Sequence, residues 1–182
     1  PTELRTTLVE HALAAGVRHF VLEKPLAESL KEAQALARML SAHKAEVHVN
    51  YLRRFSSGLV ETQERLSSGE LGEVQVATLH YGKGLNNNGS HGIDLVRWWL
   101  GEPTHVRVLG AVEDGRKDDP TLHALYEVER GGAAPLLVHL IGTDHRSISL
   151  FELDLICTKG RVRMSERGAT LTTAHRVEDP TF

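Results

Sequence analysis

One cysteine, Cys157, excludes a disulfide framework within the chain and points to a reducing, cytoplasmic setting. Positive charge is not in surplus. Lys and Arg number 21 against 24 Asp and Glu, a formal net charge of −3, so no nucleic-acid partner is expected. No apolar run is long enough to span a bilayer, and no membrane role is expected. No charged segment followed by an apolar one opens the chain, as a secretory signal would. There is no internal repeat and no low-complexity tract. His139 and His145 form the nearest histidine pair in the second half, but no cysteine or carboxylate completes a zinc set, so no metal is expected. A Gly-x-Ser-x-Gly elbow is also missing, since Gly89-Ser90-His91 lacks the second glycine. Cys157 falls in an apolar strand and reads as packing rather than as a nucleophile.

What is present is a globular composition: 41% hydrophobic and 25% charged over 182 residues, enough chain to bury a core without staples. Leu4, Leu8, Val9, Ala12 and Leu13 recur at helical spacing, with Gly16 as a stop. His19–Leu22 reads as a buried strand. Ser29 and Glu32 have capping-box spacing at the head of a second helix, whose apolar stripe is Leu30, Ala33, Ala37 and Leu40. Residues 46–50 form the next strand. Strand, helix and strand in about thirty residues make a βαβ unit with parallel pairing.

Beyond Asn50 the pattern changes. Residues 55–66 read as a helix, 73–81 as a strand, 82–89 as a polar loop and 91–100 as an apolar helix capped by Ser90 and stopped by Gly101. From Thr104 onward strands are expected at 105–112, 121–129, 135–141, 147–157, 160–164 and 169–173, with a charged turn at 113–120. The expected fold is therefore an α/β tail over residues 1–50, followed by an α+β domain over 51–182 with a large, mainly antiparallel open sheet. A parallel strand pair leaves an edge unpaired. The chain also opens on Pro1 and ends on Glu178–Phe182 without a stop signal. It reads as a piece of a longer protein, incomplete at both ends.

Two constellations bear chemistry. Glu23-Lys24-Pro25 closes a strand, and open α/β sheets bind ligands at the carboxyl ends of their strands. A partly buried lysine there can exchange a proton; a surface lysine before a turn is equally compatible. The second is Asn86-Asn87-Asn88-Gly89-Ser90-His91-Gly92-Ile93-Asp94. His91, Asp94 and Trp98 share a helix face, which suits a proton acceptor beside a carboxylate. A capping or core histidine would show the same spacing.

Glu23-Lys24-Pro25, then Asn50 with Arg53-Arg54-Phe55, then Ser68-Gly69-Glu70-Leu71-Gly72, then Gly89–Asp94 with Trp98 to Pro103 occur in that order. This series resembles the glucose–fructose oxidoreductase / inositol dehydrogenase / MocA family of NAD(P)-dependent oxidoreductases. The resemblance implies the tail of a Rossmann domain followed by a substrate-binding and dimerisation domain, with the active site between the two. It implies hydride transfer between NAD or NADP and a secondary hydroxyl of a sugar, cyclitol or nucleotide-linked sugar. Lys24 and His91 would be the catalytic residues. Asp94, Asn87, Arg54 and Tyr81 would meet the substrate, and Glu23, Lys24, Pro25, Asn50 and Arg53 would meet the cofactor. It also implies a cis Lys24–Pro25 bond and a homo-oligomer formed through the open sheet face.

Two features depart from the family pattern. Many members carry an aspartate four residues before the histidine, where this chain has Asn87. Asparagine can bond a sugar hydroxyl but cannot take its proton, so more weight falls on Lys24 and His91. No Gly-x-Gly-x-x-Gly turn follows a strand near the start; Gly82-Lys83-Gly84 opens no such unit. A non-catalytic sugar-binding or dimerisation module of the same fold is the alternative expectation.

Overall fold

A computed structural model describes residues 2–177; Pro1 and the Glu178–Phe182 end lie outside the described residues. The chain divides into two compact units, one up to Leu52 and one from Arg53.

The first unit contains α1 (Arg5–Ala14), β1 (His19–Glu23), α2 (Leu30–Ala42) and β2 (Glu46–Asn50). β1 and β2 pair in parallel, from His19 beside Glu46 to Glu23 beside Asn50. Val9, Leu13, Leu36 and Leu40 form the core, with Phe20, Leu22 and Leu26 packed against it. Ser29 caps α2 by accepting the Glu32 amide at 3.2 Å. The Glu32 carboxylate returns to the Glu28 amide, one residue earlier than a capping box would place it.

Three apolar readings are corrected here. In α2, Leu30 is 74% exposed and Leu36 is fully buried. The inward stripe is Ala33, Leu36 and Leu40, spaced at three and four residues, and Ala37 faces out. In α1, Leu4 and Leu8 are exposed, and Val9 and Leu13 carry the packing. β1 is not buried on both faces: Phe20 and Leu22 meet the helices, while Val21 on the opposite face is 73% exposed.

The second unit contains α3 (Ser57–Ser67), β3 (Val74–Tyr81), α4 (Ser90–Leu100), β4 (Pro103–Val112), β5 (Thr121–Arg130), β6 (Ala133–Gly142), β7 (Phe151–Cys157), β8 (Gly160–Ser165) and β9 (Thr170–His175). The strands make one seven-stranded sheet in the order β4-β5-β6-β3-β7-β8-β9. β3 pairs in parallel with β6, and every other pairing is antiparallel. Alternation sets the faces: Phe151, Leu153, Leu155 and Cys157 point into the core, and Glu152 and Asp154 point out. Leu59 of α3 and Leu95 and Val96 of α4 complete that core. α4 lies close on β3, because a Cβ at Gly92 would strike the Leu79 side chain. Gly101 ends α4 at φ 110°, a conformation that costs a side-chain-bearing residue dearly.

Two expected elements change. The polar loop at 82–89 is partly helical. Leu85–Gly89 coils into a π-helical turn that runs directly into α4. Ser90 therefore sits inside the helical run and does not cap it; its hydroxyl donates to the Asn86 carbonyl at 2.6 Å. The strand expected from Ser147 begins only at Phe151. The amides of Ser147 and Ile148 turn back onto the Asp144 carbonyl instead.

Candidate active site

Within the first unit, the parallel register brings Glu23 and Asn50 side by side at the carboxyl ends of β1 and β2. The Asn50 side-chain amide donates to the Glu23 carboxylate at 2.7 Å. Lys24 follows directly, through a cis bond to Pro25, and the Pro25 carbonyl accepts from the Arg5 guanidinium. Four residues expected at the cofactor are thus gathered at the strand ends, the position where open α/β sheets bind ligands.

Within the second unit, Arg54 reaches Asp94 with two parallel hydrogen bonds of 2.8 and 2.9 Å. Asp94 is buried at 7% exposure. Its charge is met by the planar fork of the guanidinium, which lies 5.5 Å above the Trp98 ring. Arg53 stacks 4.3 Å above Phe151, and His91 stands edge-on to the same ring at 6.5 Å. Burial pushes the Arg53 guanidinium below its usual range. Arg53, Arg54, His91 and Asp94 therefore share an aromatic framework of Phe151 and Trp98. Trp99 turns elsewhere and lines a separate cavity of about 310 Å³ with Leu66, Leu100 and Arg130.

Tyr81 occupies a different setting. It is fully buried, and its hydroxyl donates to the Leu122 carbonyl and accepts the Leu122 amide, both at 2.9 Å. Burial raises its pKa. This geometry braces β3 against β5 and leaves the hydroxyl engaged with backbone rather than offered to a substrate. Asn87 is exposed, and its backbone amide donates to Asp119 at 3.0 Å.

Residues in the segment read as a charged turn do more than meet solvent. Asp114 is 3% exposed and accepts from Thr121 Oγ1 at 2.7 Å, the Arg116 amide at 3.1 Å and His145 Nδ1 at 3.3 Å. Burial alone would raise its pKa; these bonds outweigh burial and hold it below the usual carboxylate range. The nearby Asp144, bonded by Arg146, is lowered to about 2. No spacing rule marks Asp114 and Thr121 in advance, because they meet only when β4 and β5 pair. Cys157 is buried, and burial raises its thiol pKa.

Residues 1–51 match the family model GFO_IDH_MocA, described as an oxidoreductase family with an NAD-binding Rossmann fold. The chain is 27% identical over 127 residues to the inositol 2-dehydrogenase of Rhizobium meliloti (strain 1021), covering 62% of this chain and 38% of that protein. The first 51 residues are thus similar to the Gfo/Idh/MocA oxidoreductase family. A second relative, the inositol 2-dehydrogenase/D-chiro-inositol 3-dehydrogenase of Shouchella clausii (strain KSM-K16), is 33% identical over 111 residues, 54% of this chain and 32% of that protein. The chain thus spans about a third of the length of these curated relatives. Its fold is shared with an inositol dehydrogenase homologue from Azotobacter vinelandii, solved with NADH and myo-inositol, at a TM-score of 0.74 and 21% identity over 98% of this chain and 52% of that one.

Replacing Arg54 with Met strands the Asp94 carboxylate. The expected cost is about 2 kcal/mol in urea unfolding, below the usual figure for a broken buried pair because a third of the Arg54 side chain stays in water. Arg54→Lys should recover little, since an ammonium cannot form both bonds; full recovery would show that charge alone matters. Asp114 has a folded-state pKa below its unfolded one. It therefore stabilises the fold above about pH 4, and that contribution disappears as pH falls through the folded value. The urea midpoint of Asp114→Asn should depend less on pH below about pH 4 than that of the parent; parallel curves would exclude Asp114 from the acid transition.

Proposed function

We propose that the protein carrying this chain transfers a hydride between NAD(P) and a secondary hydroxyl or keto carbon of a cyclitol or sugar. The observation that carries the reading is the match of residues 1–51 to an NAD-binding oxidoreductase family, with Glu23-Lys24-Pro25 and Asn50 at the strand ends. The inositol dehydrogenases among its relatives favour a cyclitol as the first substrate to try.

The polar groups at the strand ends suit a nicotinamide and its ribose: the donor and acceptor of the Asn50 amide, the accepting Glu23 carboxylate and the donating Lys24 ammonium. These residues, with Pro25 and Arg53, would hold the cofactor. No residue of this sequence is assigned to the pyrophosphate, because the glycine-rich turn is not among them. Bound nicotinamide supplies the hydride acceptor. His91 takes the hydroxyl proton as the carbon–hydrogen bond on the same carbon breaks, leaving a ketone and a protonated imidazole. Lys24 donates to the reacting oxygen and favours its developing negative charge. Arg54, oriented by Asp94, and Asn87 hold neighbouring hydroxyls.

Lys24→Ala should lower turnover of myo-inositol with NAD+ by about 10²–10⁴-fold. His91→Asn should lower kcat far more than it raises KM. Near-normal turnover in either variant would remove that residue from the chemistry, and no turnover of any cyclitol or sugar by the parent would defeat the reading.

The same protein is proposed to be a homo-oligomer that uses the outer face of the seven-stranded sheet. Val76, Leu137 and Ile156 expose 38, 43 and 41% of their surface on adjacent strands of that face, and an apolar sheet face is stabilised by cover. Sedimentation velocity should give a multiple of the chain mass, reduced by Leu137→Asp; an unchanged mass would rule out this face.

A further inference from the structure

The segment carrying Asn87 and leading into His91 begins as a helix without a cap of its own. Its first four amides are satisfied by one foreign tripeptide, Asp119-Pro120-Thr121. The Gly84 amide donates to Thr121 Oγ1 at 2.8 Å, Leu85 to the Pro120 carbonyl at 3.2 Å, Asn86 to Asp119 Oδ1 at 2.7 Å and Asn87 to Asp119 Oδ2 at 3.0 Å. The next two amides, of Asn88 and Gly89, close on the Gly84 carbonyl at 3.2 and 3.0 Å. All six are thus accounted for, four of them by residues more than thirty positions away in sequence.

The tripeptide is itself held from behind. Thr121 is fully buried and donates to Asp114 while accepting from Gly84. The adjoining Leu122 is gripped at both its amide and its carbonyl by Tyr81. Arg116 lies 3.4 Å from the Asp119 carboxylate. Gly84 has φ 86°, and a Cβ there would overlap the Asp119 carboxylate. The approach is therefore close on both sides of the joint.

We propose that Asp119 is a positioning residue: by holding the amides of Asn86 and Asn87, it fixes the loop–helix segment in the conformation that presents Asn87 and His91 for catalysis. This rests on the function proposed above, in which those two residues face the substrate. A carboxylate can accept both amides at once, one on each oxygen. Alanine leaves two helix-start amides with no partner. Asparagine keeps one accepting oxygen. The effect should reach chemistry before it reaches global stability, because small displacements of a proton acceptor are costly in rate.

The test uses the protein carrying this chain, with Asp119→Ala, Asp119→Asn and, as a control, Asp144→Ala. Asp144 lies nearby but is paired with Arg146 and takes no part in the joint. Amide hydrogen exchange reads the loop, and steady-state kinetics with NAD+ and myo-inositol read the site. In Asp119→Ala, the amides of residues 84–87 should exchange at least about tenfold faster while those of β3 and β7 stay protected. Turnover should fall by about 10–100-fold with KM for NAD+ little changed, and Asp119→Asn should recover part of both losses. Asp144→Ala should match the parent. Unchanged protection at residues 84–87 in Asp119→Ala overturns the proposal. So does faster exchange accompanied by parental turnover. If Asp119→Ala does not fold, Asp119→Asn decides by the same criteria. If the parent turns over no cyclitol or sugar, the proposed function fails on its own account, and the exchange data still decide whether Asp119 holds the loop.

Discussion

A helix that starts in the middle of a loop exposes amides that its own turns cannot satisfy. Here that requirement is met across the sheet. Asp119, Pro120 and Thr121 accept the amides of residues 84–87. The joint depends on β5 lying where it does, and β5 is fixed by its ladders to β4 and β6 and by Tyr81 reaching over from β3. The polar face of the second unit is therefore supported by the sheet beneath it. His91 and Asp94 sit on α4, and α4 lies close on β3 because Gly92 carries no side chain toward Leu79.

The charges in this unit follow one pattern. Carboxylates are buried where fixed donors meet them, and each pair also fixes a geometry. Asp94 is met by the fork of Arg54, and Asp114 by a hydroxyl, an amide and a histidine. Such pairs add little net stability over apolar packing, but removing one partner is costly. Their use here is to hold orientation: Arg54 is kept over Trp98, and Thr121 is kept under Gly84. The first unit works more simply. Parallel pairing brings Glu23 and Asn50 into register, and Lys24 leaves the strand at the same end.

Where local rules decide, the sequence reading and the structure agree. The capping spacing of Ser29 and Glu32 and the stop at Gly101 each depend on neighbours within a turn, and each is present. The reading failed where a distant partner decides. Ser90 has the residue type of a cap, yet the π-helical turn at 85–89 moved the start of the helix upstream once Asp119 supplied the acceptors. Leu30 and Leu36 are equally apolar on paper, and only the position of the neighbouring sheet selected Leu36. Tyr81 looked available for a ligand because nothing local indicates that Leu122 would occupy its hydroxyl.

The order of short motifs along the chain, from Glu23-Lys24-Pro25 to Gly89–Asp94, carried the resemblance to a family and named the candidate site residues, because those segments carry their chemistry in residue types at close spacing. The periodicities also set the division into a parallel βαβ part and a mainly antiparallel sheet. Only the tertiary structure determined that Arg54 belongs to Asp94, that His91 and Arg53 share the Phe151 ring, and that Asp119 completes a helix start more than thirty residues away. Those contacts join groups distant in sequence, and they form only when strand pairing closes the intervening loops.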